Sequence, residues 1–263
     1  MITFPNCKIN LGLHVVGRRP DGYHNLETIF LPVDSLQDEL EINEVGSGQW
    51  AVGSTMVQDG IVLDNAPEDN LCMKAWRLLH EEFDIPAVSM RLKKGIPFGA
   101  GLGGGSSDAA FTLKMLNEMF ALGLSVSDLE QRAARLGADC AFFIRNQAAY
   151  ATGIGDELEP LELRIRNEEL RIVIEIPERE HVSTKEAYGG LKRDLFGAPR
   201  PNLQEAVKRP IGEWRNLIVN DFEASVFPAH PAIAALKESM YARGAMYASM
   251  TGSGAAVFGL FAK

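Results

Sequence analysis

The chain has 263 residues, 46% of them apolar, enough for one large or two modest domains with a sizeable core. A net charge of −9 argues against a broad phosphate-binding surface, so no nucleic-acid partner is expected and an anionic ligand needs locally placed donors. Three scattered cysteines (Cys7, Cys72, Cys140) without a CxxC pair and five histidines without HExxH spacing argue against a disulfide framework or a zinc site. With no run near ~18 apolar residues and no signal-peptide pattern, the expectation is a cytoplasmic protein with no membrane partner.

The first third reads as strands. Ile9, Leu11, Leu13 and Val15 alternate with Lys8, Asn10, Gly12 and His14, so a strand over 8–16 puts Lys8 and Asn10 together on the face opposite the apolar one. Pro20, Asp21 and Gly22 signal a turn. Further strands are expected at 26–33, 39–45 and 61–63. Asn70 is a good N-cap for a helix to about Phe83, with Leu71, Ala75, Leu78 and Leu79 as its apolar stripe. A strand at 88–92 follows, then a glycine-rich loop and a helix to about Phe120. The sequence from Ser127 to Glu130 reads as a capping box for the next helix, which Gly137 stops. After an apolar segment at 140–144 comes a hairpin around Gly153 and Gly155. The charged stretch 157–169 reads as a crossing between two halves, which places the domains at 1–160 and 161–263. The second half has a strand at 170–176, helices near 183–188, 220–227 and 231–243, and closing strands at 245–250 and 255–261 around a glycine turn. Strands and helices segregate in part rather than alternating, so the class is α+β.

The loop carries the strongest chemical signal. It reads Pro97, Phe98, Gly99, Ala100, Gly101, Leu102, Gly103, Gly104, Gly105, Ser106, Ser107, and a helix follows. Glycines let backbone amides converge on one anion, a helix start adds unpaired N–H groups, and the serines add hydroxyls. No lysine follows the glycines, which excludes a P-loop. The helix runs into a second helix rather than a strand, which excludes a dinucleotide fold; the protein-kinase motifs are absent. A glycine turn without a ligand is the plain alternative. Other residues keep plain alternatives too: a surface lysine for Lys8, a cap or turn aspartate for Asp139, and an ordinary turn for the segment holding Tyr23 and His24.

Three motifs in order resemble the galactokinase, homoserine kinase, mevalonate kinase and phosphomevalonate kinase (GHMP) superfamily. They are Pro5-x-x-Lys8-x-Asn10, P-x-x-x-G-L-G-G-G-S-S at 97–107, and Met250-Thr251-Gly252-Ser253-Gly254. The stretches 8–30, 97–110 and 136–143, with Asn220 to Glu223, resemble the branch acting on a cytidine-diphosphate-linked methylerythritol. Asp21-Gly-Tyr-His24 combined with Gly137-Ala-Asp139 is the specific part. Cys7 and Ala141 depart from the family pattern, where alanine and proline are usual.

That resemblance implies a two-domain fold, a ribosomal protein S5 domain 2-like N-terminal half and a ferredoxin-like C-terminal half with the active site in the cleft. It implies ATP and Mg2+, and transfer of the γ-phosphoryl group to the 2-hydroxyl of 4-diphosphocytidyl-2-C-methyl-D-erythritol in the non-mevalonate isoprenoid pathway. Asp139 would accept the hydroxyl proton and Lys8 would stabilise phosphoryl charge. Asn10, Tyr23, His24, Tyr188, Gly252 and Ser253 would bind substrate, and Ser107 or Asp108 would touch the metal. A homoserine- or mevalonate-type kinase, or a non-catalytic nucleotide-binding relative, are the alternatives.

Overall fold

The computed structural model describes residues 1–45, 54–61, 67–163, 170–192, 196 and 198–263. In chain order its elements begin with β1 (Ile2–Thr3), β2 (Asn6–Arg18), β3 (His24–Gln37), β4 (Glu39–Glu44), β5 (Thr55–Gly60), α1 (Leu71–Phe83) and β6 (Val88–Lys94). Then come α2 (Gly104–Met119), α3 (Val126–Leu136), α4 (Cys140–Arg145), β7 (Ala149–Thr152), β8 (Glu157–Pro160) and β9 (Leu170–Glu175). The chain closes with α5 (Thr184–Gly189), α6 (Leu203–Ala206), α7 (Phe222–Val226), α8 (Pro231–Ala242), β10 (Tyr247–Met250) and β11 (Val257–Ala262). The class is α+β, as expected.

The chain divides into two compact units. The first holds residues 1–7, 34–98 and 103–146. Its sheet has the order β1-β4-β6-β5, antiparallel except for β5 beside β6. Leu40 pairs with Leu92 and Ile42 with Met90, and all four are buried, so one face of the sheet is core. α1 starts as expected, with the Cys72 amide donating to the Asn70 side chain at 2.9 Å. Ala109, Leu113 and Leu116 give α2 a fully buried stripe.

The α3 cap differs from expectation. The reciprocal bonds join Ser125 and Asp128 rather than Ser127 and Glu130, so the helix begins two residues earlier and Ser127 lies in its first turn. The strand expected at 61–63 also differs: the strand is β5, Ile61 is a bend beyond it, and residues 62 and 63 lie outside the described residues.

The second unit holds residues 8–33, 99–102 and 147–263. One of its sheets has the order β2-β3-β7-β8 and the other β10-β11-β9. Thr152 opposite Glu157 closes the expected hairpin through Gly153 and Gly155. Leu13, Val15, Val182, Ala187, Phe222, Ile233, Met250 and Val257 belong to one buried apolar cluster. These units do not follow the expected cut at 160/161: residues 8–33, 99–102 and 147–160 group with the C-terminal segment. Long β-pairing and loop contacts join distant parts of the chain, and a cut made along the sequence cannot express them.

Candidate active site

In β2 both faces are buried over residues 6–15, so its polar side chains must find partners inside. Lys8 is 3% exposed, which rules out a surface lysine. Its Nζ donates to Asn10 Oδ1 at 2.8 Å and lies 4.8 Å from the centre of the Phe30 ring. Asn10 is fully engaged as well. Its Nδ2 donates to Thr28 Oγ1 at 2.9 Å, and its amide donates to Thr251 Oγ1 at 3.0 Å. Thr28 passes the chain on by donating to the Gly12 carbonyl. The period-two spacing did put Lys8 and Asn10 on one face; what it could not show is that this face is interior.

The glycine loop changes unit twice, with residues 97–98 and 103–107 in the first and 99–102 in the second. Within the second unit it is stitched to the other two motifs. The Lys8 amide donates to the Leu102 carbonyl at 3.0 Å, and the Ala256 amide to the Ala100 carbonyl at 3.3 Å. Gly101 has φ +76°, and a Cβ there would run into the Thr251 carbonyl and sit 3.3 Å from Gly252 Cα. Only glycine allows both that backbone and that approach. Asn220 fastens the opposing turn, donating to the Met250 and Gly252 carbonyls at 2.8 Å each. Glu223 Oε1 accepts the Met250 amide at 2.9 Å. Ser253 is half-buried, 3.4 Å from the Thr184 hydroxyl.

Within the first unit the loop is held by a buried charge cluster that the sequence did not announce. Lys94 Nζ bonds Asp38 Oδ2, and bonds Asp108 Oδ2 at 2.7 Å. The amides of Gly95 and Ile96 donate to Asp38 Oδ1 at 2.6 and 2.8 Å. The cluster thus ties the loop's entry to the first turns of α2. Burial pushes the Asp108 carboxyl up to about 8, against the pull of Lys94 and with the push of Asp38.

The glycine run and the helix overlap. α2 begins at Gly104, with Gly103 as its N-cap at φ +72° and no side chain capping it. Its first amides are therefore open to an outside acceptor. Pro97 is half-buried and Phe98 is 73% exposed. Gly105 and Ser106 are half-buried, whereas Ser107 is fully buried. Among the described residues, Ser107 Oγ and Asp108 Oδ1 find no hydrogen-bond partner. Two orphaned oxygens beside uncapped amides suit a phosphate–metal group.

Asp139 is half-buried at the N-cap position of α4, yet its side chain does not cap that helix. Asp139 lies in the turn between α3 and α4. Gly137 closes α3, and Cys140, Phe142 and Phe143 anchor α4 in the core; the two phenylalanine rings meet edge to face at 5.0 Å.

A ring cluster occupies the second unit. His24 stacks on Tyr188 with centroids 4.7 Å apart and planes 24° apart, and Phe196 lies 5.6 Å from His24. Burial, then the charge of Arg18, holds the His24 pKa below its usual value, so the ring favours its neutral form with one donor and one acceptor. Tyr23 is 63% exposed on the turn before β3, where its amide donates to Asp21 Oδ1 at 3.0 Å. Among the described residues no group of three or more His, Cys, Asp or Glu could hold a metal, and no helix is long and apolar enough to cross a membrane.

The sequence did not reveal the roles of Asp38, Lys94, Thr28 and Asn220. Thr28 and Asn220 carried a signal only as members of the family-like stretches 8–30 and Asn220 to Glu223. A lysine ending an alternating strand looks the same whether it faces water or a carboxylate.

An uncapped glycine-rich helix start in the first unit, and in the second a buried strand lysine whose partner Asn10 bonds the glycine turn at Thr251, are features of a small-molecule kinase of the GHMP type. Residues 70–147 match the GHMP kinases N terminal domain and residues 201–263 the GHMP kinases C terminal, and the chain belongs to this family. The 4-diphosphocytidyl-2-C-methyl-D-erythritol kinase of Bacteroides thetaiotaomicron is 50% identical over 261 residues, covering 99% of this chain and 92% of its own. A crystal structure of 4-(cytidine 5'-diphospho)-2C-methyl-D-erythritol kinase superposes with a TM-score of 0.80 at 34% identity, covering 99% of this chain and 90% of that one. A homoserine kinase from Cytophaga hutchinsonii shares the fold, with a TM-score of 0.65 at 17% identity over 97% of this chain and 84% of its own.

Proposed function

We propose that this chain phosphorylates the 2-hydroxyl of 4-diphosphocytidyl-2-C-methyl-D-erythritol with ATP, the step its relatives' names describe, in isoprenoid precursor synthesis in the cytoplasm. The carrying observation is the 50% identity to a curated kinase of that name across 99% of the chain.

The chemistry divides among residues as follows. Uncapped amides at the start of α2 and the backbone of residues 97–107 hold the ATP phosphates, with Ser106 and Ser107 hydroxyls beside them. Mg2+, when bound, would neutralise charge on the phosphate oxygens, and the orphaned Ser107 Oγ is a side-chain oxygen that suits it; the Asp108 carboxyl, pushed up to about 8 by burial, would first give up its proton to join it. Asp139 orients the acceptor hydroxyl and takes its proton. The hydroxyl oxygen bonds the γ-phosphorus, the bond to the β-phosphate oxygen breaks, and ADP leaves. Because such transfer is largely dissociative, the proton moves late and a weak base suffices. Lys8, held by Asn10, puts positive charge on the moving phosphoryl group. Tyr23, His24 and Tyr188 receive the cytosine, by stacking and by hydrogen bonds to its edge. Gly252 and Ser253 line the substrate from the third motif. The proposal includes a division into an N-terminal kinase domain, 1–160, that carries the glycine loop, and a C-terminal kinase domain, 161–263.

ADP release measured with four acceptors tests the assignment: the cytidyl-linked methylerythritol, homoserine, mevalonate and galactose. Turnover is expected with the first alone. Comparable kcat/KM on any of the other three would overturn it.

A further inference from the structure

His230, the residue before α8, places Nδ1 2.6 Å from Glu180 Oε2 and Nε2 2.9 Å from Glu186 Oε1. A carboxylate only accepts, and a neutral imidazole has a single N–H. Both bonds exist together only when the ring is an imidazolium. The hydrogen bonds that its ring donates to Glu186 and then to Glu180 hold the His230 pKa above its ordinary value, in agreement with that geometry.

The bridge acts on a weak element. Glu180 lies in the turn before α5 and Glu186 lies on α5, which has six residues. A helix that short, far below the ~12–15 residues needed for marginal stability alone, is placed by its ties. Among those ties are the Ser183 cap on the Glu186 amide, the bond from Ser225 Oγ to the Ala187 carbonyl at 2.8 Å, the Thr184 hydroxyl 3.4 Å from Ser253, the buried Ala187 side chain, and the imidazole bridge. The residue after Ala187 is Tyr188, which stacks on His24 and meets Phe222 edge to face at 4.8 Å.

We propose that His230 is a positioning residue for the acceptor pocket: as an imidazolium it straps the turn at Glu180 and helix α5 to the start of α8, and so keeps the Tyr188 ring stacked on His24. The inference rests on the reading of Tyr188 as a wall of the cytosine site. Glu180 and Glu186 face the ring directly, and His181 follows Glu180 in the chain. On α7 and α8, Glu223 is paired with Lys237 at 2.6 Å, and Glu238 with Arg215 at 3.1 Å. A histidine whose folded pKa is raised contributes its full share below the unfolded value and loses it as pH rises through the folded value. Above that point one of the two bonds is lost and α5 loosens.

The test follows KM for the cytidyl acceptor, KM for ATP, and kcat from about pH 6 to 9 in wild type, H230Q and Y188A. Wild-type acceptor KM is expected to rise roughly threefold to tenfold on the alkaline side while ATP KM stays flat. H230Q is expected to show a raised acceptor KM without that limb; any acid limb from His24 persists. Should Y188A leave acceptor KM unchanged, the reading of Tyr188 fails and this inference with it. Should Y188A raise KM while the H230Q profile tracks wild type, His230 alone is refuted. Independently of any variant, nitrogen-15 shifts of the His230 ring in the wild-type protein are expected to show an imidazolium at neutral pH. A neutral tautomer there would overturn the proposal.

Discussion

Burying an ammonium group costs several kcal/mol unless hydrogen bonds and charge offset it. Lys8 accepts burial at 3% exposure with Asn10 Oδ1 and the Phe30 ring beside it. Asp139 is a half-buried carboxylate at a helix start that it does not cap. Replacing Asp139 by asparagine keeps size and hydrogen-bonding shape and removes the base. Turnover of the D139N variant is expected to fall roughly 10²–10⁴-fold, with ATP and acceptor affinities within a few-fold of wild type in a calorimetric titration. Equal turnover would take Asp139 out of the reaction.

At the scale of elements, the segment joining β6 to α2 shows what local rules reach and where they stop. That a helix follows a glycine run was legible, because Ala109, Leu113 and Leu116 recur at helical spacing and lie fully buried. That the helix starts inside the run, at Gly104, was not, because helix starts lacking a polar side-chain cap leave no mark in sequence. Nor was the Asp38–Lys94–Asp108 cluster legible, since its members come from the link between β3 and β4, from β6 and from α2. The cluster has a measurable consequence. The Asp108 carboxyl is raised from its unfolded value near 4 to about 8. In that window the folded protein keeps a proton that the unfolded chain has lost, so the stability Asp108 contributes is full in acid and lost as pH rises through about 8. Thermal melts of D108N are expected to gain on wild type as pH is raised from about 5 to 8.5. Parallel melting curves for the two proteins across that range would refute the raised pKa.

For the whole molecule, the family assignment rests on motifs spread from Lys8 to Gly254, and the second unit brings Lys8, Gly101 and Gly252 into one hydrogen-bonded and close-packed set. The reaction adds a requirement that no side-chain cluster meets alone. Among the described residues no group of three or more His, Cys, Asp or Glu could hold a metal; under the proposed function the cation is carried by the nucleotide's own oxygens. ADP release is expected to stop when divalent ions are chelated and to return on adding Mg2+, with ATP itself supplying most of the ligands. Full turnover in excess chelator would remove the metal from the reaction.

Element types and the family were written in local order: period-two and helical spacing, a run of glycines before a helix, and three motifs in sequence. Those features depend on neighbours a few residues apart, and backbone geometry makes them readable. Which faces lie inside, which charges meet and how the chain divides were decided only in three dimensions. Both faces of β2 are buried, Lys94 meets two carboxylates from other elements, and residues 8–33 group with the C-terminal half. Burial and ion pairing are set by what packs against a residue from far along the chain, and a linear pattern carries no record of that partner.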